Sequence, residues 1–166
     1  HILDKLEDRS DRRVEFIYNA LLQLNAELKA TGSSIYIGIG TPESVWAELI
    51  QKFSISAVYT NEDYEPYGVQ RDADIGKFLQ EQGIPLYLFK DHVVFKPGDI
   101  LKDDGKPYTV FTPYSKKWKL KLVPFYYRSY PVLKYTSNFY KTEPFRIPPL
   151  KEIGFESTNC VFPDRV

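Results

Sequence analysis

Between positions 11 and 30 apolar residues recur every three or four places, at Val14, Ile17, Leu21, Leu24 and Leu28, with mostly polar residues between them. That spacing lines one face of an α-helix and predicts one here. Asp8, Ser10 and Asp11 offer capping oxygens at its start, and Gly32 stands where a left-handed C-terminal cap is usual. The period then shortens. Residues 34–39 are rich in β-branched side chains and predict a strand, ended by Gly40-Thr41-Pro42, where Thr41 can cap a helix that opens on Pro42. Val45, Trp46, Leu49, Ile50 and Phe53 give that helix its apolar stripe. A strand at 57–59, a polar loop at 61–65, a helix over 66–82 closed by Gly83 and a strand at 86–89 follow. Helix and strand in alternation predict an α/β fold with a parallel sheet, because parallel neighbours need a crossover. Such sheets are covered on both faces and need several neighbours, so three strands read as an incomplete sheet whose N-terminal strands are missing.

Beyond Phe89 the regular pattern ends. Asp103-Asp104-Gly105-Lys106 is a turn signal that predicts a short hairpin between 100–101 and 108–110, and Thr112-Pro113 is expected to start a helix reaching Leu122. Pro124, Pro131, Pro144, Pro148, Pro149 and Pro163 then break any long element. Their neighbours include many aromatics, which is too much apolar surface for simple disorder and predicts an ordered linker lying over a surface.

Length and charge sharpen this picture. At 166 residues the chain suits one domain, and its 22 basic residues balance 22 acidic ones. The balance is uneven along the chain: 11 Lys/Arg stand against 18 Asp/Glu up to position 104, and 11 against 4 from 105 onward, so the two parts are expected to face different partners. A single cysteine, Cys160, excludes an intramolecular disulfide framework and a paired-cysteine zinc site. No apolar run is long enough for a membrane span, and a soluble, cytoplasmic chain with no membrane partner is expected. The sequence holds no methionine and opens on His1, which leads to the expectation of a piece of something longer.

Chemistry-bearing constellations are few. Gly38-Ile39-Gly40 suggests a phosphate-cradling turn, but the third glycine of that pattern is replaced by Glu43, and an ordinary strand-to-helix turn is the alternative. With His1 and His92 as the only imidazoles, no metal site and no catalytic residue is assigned; His92, just beyond the strand at 86–89, is read as a surface or capping residue with a binding role open. The acidic loop from Asn61 to Glu65 falls at the carboxyl end of a strand, where open α/β sheets bind ligands, although Asp63 or Glu65 is equally suited to capping the next helix. Lys116, Lys117, Trp118, Lys119 and Lys121 either meet a phosphate backbone by charge and stacking or lay their stems along an apolar surface.

Three runs in order carry a resemblance: 11–17 (Asp-Arg-Arg-Val-Glu-Phe-Ile), 61–67 (Asn-Glu-Asp-Tyr-Glu-Pro-Tyr) with Arg71-Asp72, and 106–114 (Lys-Pro-Tyr-Thr-Val-Phe-Thr-Pro-Tyr) with Trp118. Together they resemble the N-terminal α/β domain of the DNA photolyase/cryptochrome family. The resemblance implies a Rossmann-like parallel sheet flanked by helices, with residues 1–122 as part of that domain and 123–166 as the connector toward an FAD-binding helical domain that the sequence does not contain. It implies, for the parent protein, blue-light-driven splitting of cyclobutane pyrimidine dimers in DNA by electron transfer from reduced FAD, on a dimer flipped out of the duplex. The parent's partners would be damaged DNA and its own C-terminal FAD domain. This chain by itself is expected to carry an antenna and structural role and no repair activity. Many relatives hold an antenna pigment here, a folate, a deazaflavin or a flavin; by resemblance to deazaflavin-binding relatives Arg13 and Asp63 fall near pigment-contacting positions, the other readings being a helix-surface ion pair and a helix cap. Where folate-binding relatives have an Asn-Glu pair, Tyr67-Gly68 stand here. The alternatives are a cryptochrome-type blue-light receptor and a free-standing nucleotide-binding α/β module.

Overall fold

A computed structural model describes residues 3–162 and shows, among them, an α/β arrangement with four α-helices and two strands. In order these are α1 (Arg12–Ala30), α2 (Pro42–Lys52), β1 (Val58–Asn61), α3 (Pro66–Glu81), β2 (Leu86–Phe89) and α4 (Phe111–Lys121). By packing the chain divides into two compact units, one of residues 42–130 and one of 1–41 with 131–166. The opening His1 and the helix-breaking Pro163 lie outside the described residues.

The unit of residues 42–130 is built on a parallel pair. β1 and β2 run side by side in the register Val58 to Leu86 and Asn61 to Phe89, with α3 as the crossover that parallel neighbours require. α3 ends as predicted: Gly83 takes φ +73°, where a side chain is strained, and the Gly83 and Ile84 amides donate to Gln80 and Leu79 carbonyls at 2.9 Å. One sheet face packs on α2 and α3 through Val58, Ile75, Leu79 and Ile84, with Trp46, Ile50, Phe78 and Leu86 around them. Leu79 is fully buried. On the other face Tyr59 stacks on Tyr87 with ring centres 5.0 Å apart, Phe89 follows at 6.2 Å from Tyr59, and all three rings remain exposed.

Further along this unit the expected hairpin is not formed. The turn at 103–105 is present, with Gly105 donating to Lys102 and Lys102 to the Lys106 carbonyl, both at 2.9 Å, but the flanking residues form no strand. Charged and glycine residues at 102–106 leave too few apolar neighbours on either arm to hold a longer ladder. α4 begins at Phe111, one residue ahead of Thr112, so Thr112 lies inside the first turn and its carbonyl accepts from the Ser115 hydroxyl at 3.0 Å. Trp118 turns inward against Phe95 with rings 5.5 Å apart, and Phe95 also meets Tyr126 at 4.8 Å.

In the other unit α1 is capped as expected, with Asp11 accepting from the Arg13 amide at 2.8 Å. Its buried side matches the predicted stripe in part: Val14 is buried and Leu21 and Leu28 are half-buried, whereas Ile17 is 58% and Leu24 37% exposed and the polar Glu15 and Asn25 are buried. The covered side is set by the chain that returns over the helix: Leu150 and Phe155 join Val14 in a small core with Tyr18 and Ile153 beside it. Residues 34–39 form no strand, contrary to the sequence reading. Asn25 explains why: its Oδ1 accepts from the Ile35 amide at 2.9 Å and the Ser34 hydroxyl at 3.0 Å, while the Ser34 oxygen accepts from the Phe145 amide at 3.0 Å. These polar groups are satisfied by side chains instead of a ladder. Among the described residues from 124 onward there are three short 3-10 turns, Pro124–Tyr126 in the unit of residues 42–130, and Val132–Asn138 and Leu150–Ile153 in this one. Several of their aromatics, among them Phe125, Tyr127, Tyr130, Tyr135 and Tyr140, remain exposed.

Candidate functional site

Because β1 and β2 are parallel, their carboxyl ends lie together, and the loops that follow them face each other across a common opening. The Glu62 amide donates to the Phe89 carbonyl at 2.8 Å, which ties the two strand ends. Beyond this bond lies a cavity of about 240 Å³. Glu62, Asp63 and Tyr64 line one side and Lys90, Asp91, His92 and Val93 the other, with Val69, Lys96 and Pro97 completing the wall. Tyr64 and His92 meet edge to face, ring centres 6.0 Å apart, and form an aromatic corner. Tyr64, Val69, Val93 and Pro97 give this wall its apolar surface and the charged side chains its polar groups, a mixture that can seat part of a planar ring with polar edges.

Asp63 is held in one orientation. Its Oδ1 accepts from the Glu65 amide at 3.0 Å, just ahead of Pro66 and the start of α3. Gly68, one turn into the helix, makes that orientation possible: a β-carbon there would stand 2.5 Å from the Asp63 Cβ and Cγ. The backbone amides of Glu65 and Tyr64, with His92 and Arg71 nearby, hold the Asp63 carboxyl below the usual carboxylate range, although partial burial opposes them. Asp63 is therefore ionised at neutral pH. It also serves the helix start, while Glu65, at the N-cap position, makes no side-chain capping bond.

Around the cavity the charges are partly spent. Lys90 Nζ reaches Asp99 at 2.7 Å, which raises the lysine and lowers the aspartate from their ordinary values. Asn61 donates to Asp91 Oδ2 at 2.9 Å. Lys96 Nζ stands 3.4 Å from Glu62 Oε2, and Glu62 Oε1 is buried with no hydrogen-bond partner.

Arg13 lies elsewhere, in the unit that contains α1. Its guanidinium grips Asp11, Nε at 3.0 Å from Oδ1 and Nη2 at 2.5 Å from Oδ2, with the arginine side chain 75% exposed. The Arg13 guanidinium and amide hold the Asp11 carboxyl at about 2. The glycine turn at 38–40 has no strand leading into it, so the strand-turn-helix cradle that a phosphate needs is not built. In the basic cluster Lys117 pairs with Asp103 at 2.8 Å, Lys121 donates to the Asp99 carbonyl at 2.7 Å, and Trp118 is occupied by Phe95, which leaves it poorly placed for stacking on a base. Among the described residues no cluster of His, Cys, Asp and Glu is arranged to hold a metal, and no helix is long and apolar enough to cross a membrane.

The sequence pointed to the loop at 61–65 and to His92 but not to Glu62 by itself, nor to Lys90, Val93, Lys96 and Pro97. The signal was available, since parallel pairing obliges the loop after β2 to form the second wall of any pocket at the end of β1.

Comparison with known proteins places this arrangement. The family model described as DNA photolyase matches residues 2–131. A deoxyribodipyrimidine photo-lyase of Alkalihalophilus pseudofirmus is 41% identical over 105 residues, 63% of this chain and 22% of that protein. One from Synechococcus is 32% identical over 117 residues, 70% of this chain and 24% of that protein. Cryptochrome-1 of Rattus norvegicus is 26% identical over 152 residues, 87% of this chain and 26% of that protein. Among solved structures, an archaeal photolyase from Sulfolobus tokodaii, determined with two FAD molecules and an implied novel light-harvesting cofactor, superposes with a TM-score of 0.55 at 31% identity over 66% of this chain and 24% of that one. The chain thus matches less than a quarter of the length of the two photo-lyases, and within that length the matched family model, the parallel pair and its crossover agree: the chain belongs to the DNA photolyase family.

Proposed function

We propose that this chain is the N-terminal antenna and structural part of a deoxyribodipyrimidine photolyase, and that the cavity at the carboxyl ends of β1 and β2 holds the light-harvesting pigment. The observation that carries the pigment reading is the meeting of a cavity with an aromatic corner and a fixed, ionised Asp63 at a parallel-strand terminus. In this reading the planar ring lies against Tyr64 and His92, and Asp63 accepts a hydrogen bond from it. For Arg13, the other candidate, the ion pair with Asp11 is the role its own surroundings support. A folate, a deazaflavin or a flavin each has a ring of the required kind; the flavin is favoured by the two FAD molecules and the light-harvesting cofactor described for the Sulfolobus tokodaii relative.

The repair chemistry belongs to the longer protein. There reduced FAD would donate an electron to a cyclobutane dimer in damaged DNA, and the FAD site would be formed by a further, C-terminal domain. This chain supplies no catalytic residue to that step. The expected compartment is the cytoplasm. Dimer repair under blue light, measured on the FAD-loaded full-length protein, tests the photolyase reading: repair is expected, and an FAD-loaded protein that repairs no dimers contradicts it. A cryptochrome-type receptor is the second reading, supported by the 26% identity to cryptochrome-1.

A further inference from the structure

We infer that the outward side of α4 is a contact surface for the phosphate backbone of duplex DNA, with Lys116 and Lys119 as its cations and the Thr112 hydroxyl beside them. The inference rests on the photolyase reading, under which the longer protein meets damaged DNA, and it uses residues that do not line the cavity at the strand ends. Trp118 fixes which way the helix faces. Its ring turns inward onto Phe95 at 5.5 Å, so with 3.6 residues per turn Thr112, Lys116, Lys119 and Leu120 fall on the opposite side. All four are exposed, Leu120 by 82%. Thr112, Lys116 and Lys119 stand four and then three places apart, which makes them a row along that side.

Charge singles the row out. Up to position 101 the unit of residues 42–130 holds five Lys/Arg against ten Asp/Glu, and from 102 it holds seven against two. No Asp or Glu stands between Asp104 and Glu143, so α4 carries no carboxylate of its own. Lys117 is spent on Asp103 and Lys121 on the Asp99 carbonyl, whereas Lys116 and Lys119 have no hydrogen-bond or ion-pair partner among the described residues. A field of one sign on a convex helix attracts a polyanion.

The side chains in the row decide what it reads. It holds no Arg, Asn or Gln, which recognise base edges through paired hydrogen bonds, so it meets phosphates and carries no sequence information. Lysine suits that task as a flexible point charge. An anionic lipid surface fits less well, because Trp118 is turned inward and Leu120 is the one large apolar side chain of the outward row.

The test is fluorescence anisotropy of a labelled, undamaged duplex titrated with the 166-residue chain at several salt concentrations. Binding is expected to be weak, with log K falling linearly against log salt. Lys116→Gln with Lys119→Gln should weaken it by about tenfold or more at low salt and make the slope shallower by about 1.8, the loss of two phosphate contacts. Lys52→Gln with Lys77→Gln removes the same charge from the acidic part of the unit and should change the slope by less than about 0.5. No binding, equal losses in the two double variants, or tighter α4-dependent binding to anionic phospholipid vesicles than to the duplex each overturns the role of α4. Dimer repair by the full-length protein is a separate readout, so the photolyase reading stands or falls independently of these outcomes.

Discussion

Two glycines of α3 show how much a single position can decide. At Gly68 an added β-carbon would collide with Asp63, whereas at Gly76 it would meet the Leu86 side chain at an ordinary 3.6 Å. Gly68→Ala should therefore cost about 1–3 kcal/mol of stability through forced displacement of Asp63. Gly76→Ala should be neutral or stabilise by up to about 1 kcal/mol, since alanine suits a helix interior better than glycine. Thermal denaturation of the two variants side by side checks the contrast. Glu15 offers a different kind of control. Its Oε2 accepts from the amide of Thr158 at 2.8 Å and from the Thr158 hydroxyl, and these bonds hold its carboxyl below the ordinary range against the opposing effect of burial. The unfolded chain, with the higher value, takes up the proton first on acidification. The contribution of Glu15 is therefore complete above the unfolded carboxyl range and disappears as pH falls through the lower folded value. A Glu15→Gln variant should melt below the wild type at about pH 7, and the gap between them should narrow toward about pH 3.

At the level of the element, periodicity located α1, α2, α3 and β2 closely, because each carries its own apolar pattern and its own stop signal. Gly32 and Gly83 take positive φ at the two helix ends where the sequence placed them. What periodicity missed is set by partners distant in the chain. Residues 34–39 have the composition of a strand, yet their polar groups go to Asn25, nine to ten positions earlier, and to Phe145, far downstream. The bare Ile17 and Leu24 on α1 have the same origin, since the returning segment around Leu150 and Phe155 covers the neighbouring side of the helix. Asn25 is 3% exposed, so replacing it by alanine leaves buried donors unsatisfied. Asn25→Ala should cost about 1–3 kcal/mol in denaturant unfolding, and the Ile35 amide should lose its hydrogen-exchange protection. The Asp63 half of the candidate site was readable because strand-end loops of open sheets are ligand sites; its other half, at residues 90–97, follows only once β1 and β2 are known to pair in parallel.

Taken whole, the molecule spends its clearest geometry on one place. The parallel pair brings two loops together, Gly68 makes room for Asp63, the Glu62 amide ties the strand ends, and Tyr64 with His92 forms a surface for a ring. Features that suggested other chemistry are occupied elsewhere: Trp118 is packed on Phe95, Lys117 is paired with Asp103, and Arg13 is held by Asp11. Where a ring binds therefore matters more than how tightly it does so. Backbone amide chemical shifts of the chain, followed by NMR during titration with riboflavin, report that location directly. The shifts should concentrate at residues 62–64 and 90–97 and weaken in an Asp63→Ala variant. Shifts that gather elsewhere, or an absence of change at saturating flavin, would contradict a pigment site at the ends of β1 and β2.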